Sequence, residues 1–127
     1  MNNVVADASA VIALLMSEPF HRFSPVELNG ASISSVNLTE VLTRLQDLGI
    51  PDEAVNTSMA ELNLRVFALD ESQARAAARL RAETRRAGLS LGDRACLALA
   101  EKLGYAAVTA DRAWVNVDVG VEVVLIR

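Results

Sequence analysis

The chain has 127 residues, 52% of them apolar and 4% aromatic, which suits one domain over residues 1–127 with an aliphatic, alanine-rich core. A net charge of −4 and a pI near 4.9 argue against loose binding to nucleic acid through overall charge, though not against a local site. The single cysteine, Cys96, excludes an internal disulfide and a thiolate metal cluster, and the single histidine, His21, excludes chemistry that needs paired imidazoles. The longest apolar run near the start, residues 11–16, is too short to cross a bilayer, so the protein is expected to be soluble and cytoplasmic with no membrane partner.

Residues 3–6 read as a short buried strand running into Asp7, after which residues 8–16 turn helical with Val11, Ile12 and Leu15 on the apolar face. Asp7 therefore stands at the carboxyl end of a strand, where open parallel sheets bind ligands, or else caps the following helix. Ser9 is placed equally well to orient the Asp7 carboxylate or to cap the helix itself. Pro19 and Pro25 bracket a loop or broken helix containing Phe20 and Phe23. Residues 31–34 form a second strand, and 36–48 a helix with a buried stripe of Leu38, Val41, Leu42, Leu45 and Leu48, stopped by Gly49 and Pro51. Glu40 lies one turn before Arg44, the spacing of an ordinary ion pair.

A helix over 51–62 and a strand over 64–69 lead to Asp70, read as a helix cap. Residues 71–87 make one helix rich in Ala and Arg, closed by Gly88; its Arg75, Arg79, Arg81, Arg85 and Arg86 face either a phosphate backbone or water. Ser90 then caps a largely buried helix that carries Asp93 in its first turn, Cys96 on its apolar face and Gly104 at its end. Strands over 105–109 and 121–126 complete the chain, the first running into Asp111, while Asp118 reads as a turn residue. Strands alternating with helices specify an α/β fold, a three-layer α/β/α sandwich around a parallel sheet of about five strands.

Asp7 and Asp111 follow strands, and Glu40 and Asp93 lie near the starts of helices, so one edge of the sheet can gather all four carboxylates. Crowded carboxylates repel unless a cation joins them, and hard Mg²⁺ or Mn²⁺ takes oxygen ligands and suits a phosphate substrate. The expected reaction is hydrolysis of a phosphodiester by metal-activated water, leaving 5′-phosphate and 3′-hydroxyl ends.

The segments Val5-Ala6-Asp7-Ala8-Ser9-Ala10, Val36-Asn37-Leu38-Thr39-Glu40-Val41, Ser90-Leu91-Gly92-Asp93 and Thr109-Ala110-Asp111-Arg112-Ala113-Trp114 resemble PIN-domain nucleases and, more narrowly, VapC-type toxins of type II toxin–antitoxin systems. The resemblance spans almost the whole chain, with the motifs in family order. It implies that Asp7, Glu40, Asp93 and Asp111 form an acidic quartet holding Mg²⁺ or Mn²⁺ for RNA cleavage, with Ser9 and Thr109 as supporting hydroxyls. It also implies an endoribonuclease toxin that forms a homodimer and is silenced by a cognate antitoxin protein, whose C-terminal segment lies over a groove and reaches the active site. An apolar groove lined by the first two helices and residues 20–23 would suit that segment, and Trp114, matching the aromatic after the last acid, is expected to pack. Two rival readings are weaker. A phospho-accepting receiver domain needs a lysine near its acids, and Lys102 lies late in its helix; a PIN fold that binds protein or RNA without turnover has no need of an intact quartet.

Overall fold

The computed structural model describes residues 3–127. Alternation of short β-branched runs with longer helical periods produces five parallel strands, β1 (Val4–Ala6), β2 (Ser32–Ser34), β3 (Arg65–Phe67), β4 (Ala106–Thr109) and β5 (Val123–Leu125), arranged β3-β2-β1-β4-β5. Between them run α1 (Ala8–Leu15), α2 (Ser35–Asp47), α3 (Asp52–Leu62), α4 (Glu71–Arg79), α5 (Arg81–Thr84) and α6 (Leu91–Leu103). Successive strand residues face opposite layers, as the pleat requires. Val5 and Ala107 pack with Ala77 of α4 and Leu97 of α6, whereas Ala6 and Val108 pack with Val11 of α1, Val41 of α2 and Leu62 of α3. Both faces of the sheet are thereby covered, as the three-layer expectation held.

The chain lays β1, β2 and β3 outward in one direction and then places β4 on the other side of β1. The crevice beyond the carboxyl ends of β1 and β4 is thus the topological switch point, the usual ligand position in open α/β sheets. Asp7 follows β1 directly, and Asp111 stands two residues past β4.

Several elements differ from the sequence expectation. The helix read over 71–87 stops at Leu80, resumes as α5 and gives way to a turn over residues 85–88. The Thr84 hydroxyl donates back to the Leu80 carbonyl at 2.8 Å, and Gly88 at φ +71° lets buried Leu89 turn into the core. On α2 the buried row is Asn37, Val41 and Leu45, spaced i, i+4, i+8; Leu38 is half-buried, and Leu42 and Leu48 are exposed. Strand β3 keeps only three residues of the six expected, because it is a sheet edge with Val66 turned to solvent. Past Pro19 the chain forms no helix until a 3₁₀ turn at Pro25–Leu28, with Phe20 and Phe23 packed partly into the core. The apolar groove lies elsewhere than expected: Leu14 and Leu15 of α1, Pro25, Val26 and Leu62 of α3 line a cleft of about 730 Å³ in which α2 takes no part. Trp114 and Cys96 are fully buried, and Asp70 accepts from Gln73 N at 2.9 Å, as read. No helix among the described residues is long and apolar enough to cross a membrane.

Candidate active site

Asp7 occupies the N-cap position of α1, yet its side chain makes no capping bond. The carboxylate turns instead toward β4, where Oδ2 accepts from Ser9 Oγ at 2.7 Å and from Thr109 Oγ1 at 2.9 Å. Ser9 in turn accepts from the Ala110 amide, and Thr109 Oγ1 from the Asp111 amide, at 2.9 and 3.1 Å. Of the two placements open to Ser9, the structure has the one that orients Asp7. The two hydroxyls stitch the residue after β1 to the residues leading to Asp111, and Asp7 is only 4% exposed. Burial lifts its carboxyl from 3.8 to about 6, against the pull of the Ser9 and Thr109 hydroxyls, with the charges of Asp93 and Glu40 adding to the rise.

Asp93 does act as a cap. Its Oδ2 accepts from Ser90 N at 2.9 Å while its own amide donates to Ser90 Oγ at 3.2 Å, a reciprocal capping box that fixes the first turn of α6. The carboxyl is nonetheless raised, by burial first and by the charge of Asp111 among other causes. Asp111 caps the 3₁₀ turn Arg112–Asn116 through Ala113 N at 2.9 Å. Capping holds these two acids in place without removing them from the cluster.

Glu40 forms no ion pair with Arg44 among the described residues. Its Oε1 accepts from Asn37 Nδ2 at 3.0 Å, and the same amide nitrogen donates to the Gly92 carbonyl at 2.9 Å, so Asn37 ties α2 to the first turn of α6. Two acceptors on one side fix the amide's orientation. A Cβ built on Gly92 would stand 2.5 Å from both Glu40 carboxylate oxygens. Only a glycine lets Glu40 lie there. Sequence reasoning gave neither Asn37 nor Gly92 a role, although each carried a signal: a polar residue in register with Val41 and Leu45, and a glycine inside a helix that alanine would favour.

The acids sense one another pairwise: the charges of Glu40 and Asp93 act on Asp7, and that of Asp111 acts on Asp93. Cys96 lies close enough that burial and the charges of Asp7, Asp93 and Glu40 push its thiol well above its ordinary value. The expected convergence is incomplete in one respect. Among the described residues no three His, Cys, Asp or Glu side chains draw together as a finished metal cage. In donor chemistry the set fits a hard divalent cation, since every candidate ligand is a carboxylate oxygen.

The model of the PIN domain family matches residues 4–120. No curated protein matches the sequence. Among solved structures, a toxin–antitoxin complex from Klebsiella pneumoniae is similar with a TM-score of 0.69 and 18% identity over 98% of each chain. DNA-bound VapBC from Salmonella typhimurium is similar with a TM-score of 0.72 and 19% identity over 97% of each chain. FitAcB from Neisseria gonorrhoeae gives 0.63 and 17%, over 94% of this chain and 95% of that one. At these identities the likeness is one of fold.

Proposed function

The chain belongs to the PIN domain family, and from that premise we propose that it is an endoribonuclease toxin of a toxin–antitoxin pair, using Mg²⁺ or Mn²⁺ held by Asp7, Glu40, Asp93 and Asp111. The observation that carries this reading is Asp7: a nearly buried carboxylate that caps nothing, is oriented by two hydroxyls and is crowded by two further acids. A structural cap would not be built that way.

A divalent cation bound by these oxygens supplies charge for a non-bridging phosphate oxygen and acidifies a water for attack on phosphorus. The chain's own groups arrange the rest. Ser9 and Thr109 hold Asp7 in one orientation, so that its carboxylate needs no reorganisation when a ligand arrives. Asn37 and the bare Gly92 backbone position Glu40, and the capping box positions Asp93. Because α6 starts beside Asp93, its positive end adds a field toward the phosphate.

The complex from Klebsiella pneumoniae that is similar in fold pairs a toxin with an antitoxin, and the same arrangement is proposed here. The groove between α1, the 3₁₀ turn at Pro25–Leu28 and α3 suits an apolar antitoxin segment, and a homodimer is the proposed assembly. The test is cleavage of a total-RNA pool by the purified chain with Mg²⁺, Mn²⁺ or chelator, beside an Asp93→Asn control prepared identically. Cation-dependent cuts with 5′-phosphate ends, absent from the control, are expected; equal cutting by both proteins, or none with either cation, would overturn the reading.

A further inference from the structure

Basic charge is unevenly spread in this acidic chain. Residues 72–90 hold Arg75, Arg79, Arg81, Arg85 and Arg86 against a single acid, Glu83. Arg75 is occupied by an ion pair with Glu71 at 2.8 Å. The other four are exposed, and among the described residues none of them forms an ion pair. Arg79, the last residue of α4, and Arg86, in the turn past α5, are both exposed, as is the small Ala82 between them, while Gln73, Ala77, Leu80 and Thr84 of the same stretch are buried.

One end of this row meets the frame of the acidic site. Arg86 lines, with Ala82, Glu83, Ala87 and Asn116, a cleft of about 370 Å³, and Asn116 closes the turn that Asp111 caps. Ser90, the cap that fixes Asp93, follows four residues after Arg86. Arg94, next to Asp93, donates through Nη1 to the Ala77 carbonyl at 3.0 Å, which locks α4 to α6. The arginine face is therefore held in fixed register with the acids.

Chemistry selects the partner. A chain of net charge −4 repels a polyanion over most of its surface, and residues 72–90, with five arginines and one acid, are the densest stretch of the opposite sign in the sequence. Guanidinium forks match phosphate oxygens, and residues 72–90 contain no aromatic side chain on which a base could stack. We propose that Arg79 and Arg86 form a backbone-tracking surface that holds the phosphates of single-stranded RNA and leads the strand over the cleft to the acids. This rests on the nuclease reading for its destination but not for its binding.

The two are separable by experiment. Binding of a fluorescein-labelled oligouridylate of about twenty nucleotides is measured in chelator across a range of salt, for wild type, for Arg79→Ala/Arg86→Ala and for Arg65→Ala at the far end of edge strand β3. The double variant should lose about 0.7 of the log–log salt slope for each arginine removed, while Arg65→Ala keeps the wild-type slope. All three should show the same circular dichroism, since the substituted side chains are exposed. An unchanged slope in the double variant overturns the proposal, and so does a slope lost equally in Arg65→Ala. Arginines that serve a protein partner instead would give the first of these results. A wild-type chain that binds with the expected slope yet cuts nothing in the total-RNA pool would sink the nuclease reading while upholding the surface.

Discussion

Asp7 is where a single residue decides most. Its carboxyl ionises near 6 in the folded chain against 3.8 for the free group, so the folded state binds the proton more tightly than the unfolded state does. With respect to this group, stability is greatest below about pH 4 and falls as pH rises through 6, by about 3 kcal/mol in all. Asp7→Asn retains an oxygen acceptor for the two hydroxyls without the charge. In chelator at pH 7.5 it should unfold at higher urea than wild type by an amount on the order of 3 kcal/mol, the gap closing toward pH 4, while RNA cleavage is lost. A variant less stable than wild type at both pH values would contradict this account. Gly92 makes the converse case. Gly92→Ala favours the helix by up to about 1 kcal/mol but pushes its methyl group into the Glu40 carboxylate, so cleavage should fall on the order of ten-fold with no loss of melting temperature.

At the scale of elements, the contact that shapes the site is α2 against the start of α6, joined by Asn37 across 55 residues of sequence. Asn37 is fully buried, and its amide serves both Glu40 and the Gly92 carbonyl. Asn37→Ala leaves that carbonyl without its donor and should cost about 2 kcal/mol in a denaturant titration, with a larger proportional loss of cleavage. The same contact explains what could be read from sequence. Strand and helix alternation was plain because apolar runs are bounded by Gly, Pro and capping residues, and Asp7, Asp93 and Asp111 stood out because each follows a strand or opens a helix, whereas Glu40 lies in the second turn of α2. Asn37 and Gly92 were opaque, since their meaning depends on a neighbour that only the folded sheet supplies. Leu42 and Leu48 misled for the same reason: periodicity marks an apolar stripe, but the packing partner chooses which edge of it is covered, and here the choice falls on the row containing Asn37.

For the molecule as a whole, burial and the charges of Asp93 and Glu40 raise the Asp7 carboxyl, and a cation held by the proposed site would offset that charge. Mg²⁺ should therefore raise the melting temperature at pH 7.5, and the rise should shrink at pH 5, where Asp7 binds its proton instead. A rise of equal size at both pH values would place the ion elsewhere. The site also draws on distant parts of the chain: Asp7 follows β1, Asp111 follows β4, and the Thr109 carbonyl at the end of β4 accepts from the Ile126 amide just past β5. No fragment that stops short of β5 therefore carries a finished site, and truncation at residue 110 should abolish cleavage in a cell-free translation extract even though three of the four acids remain.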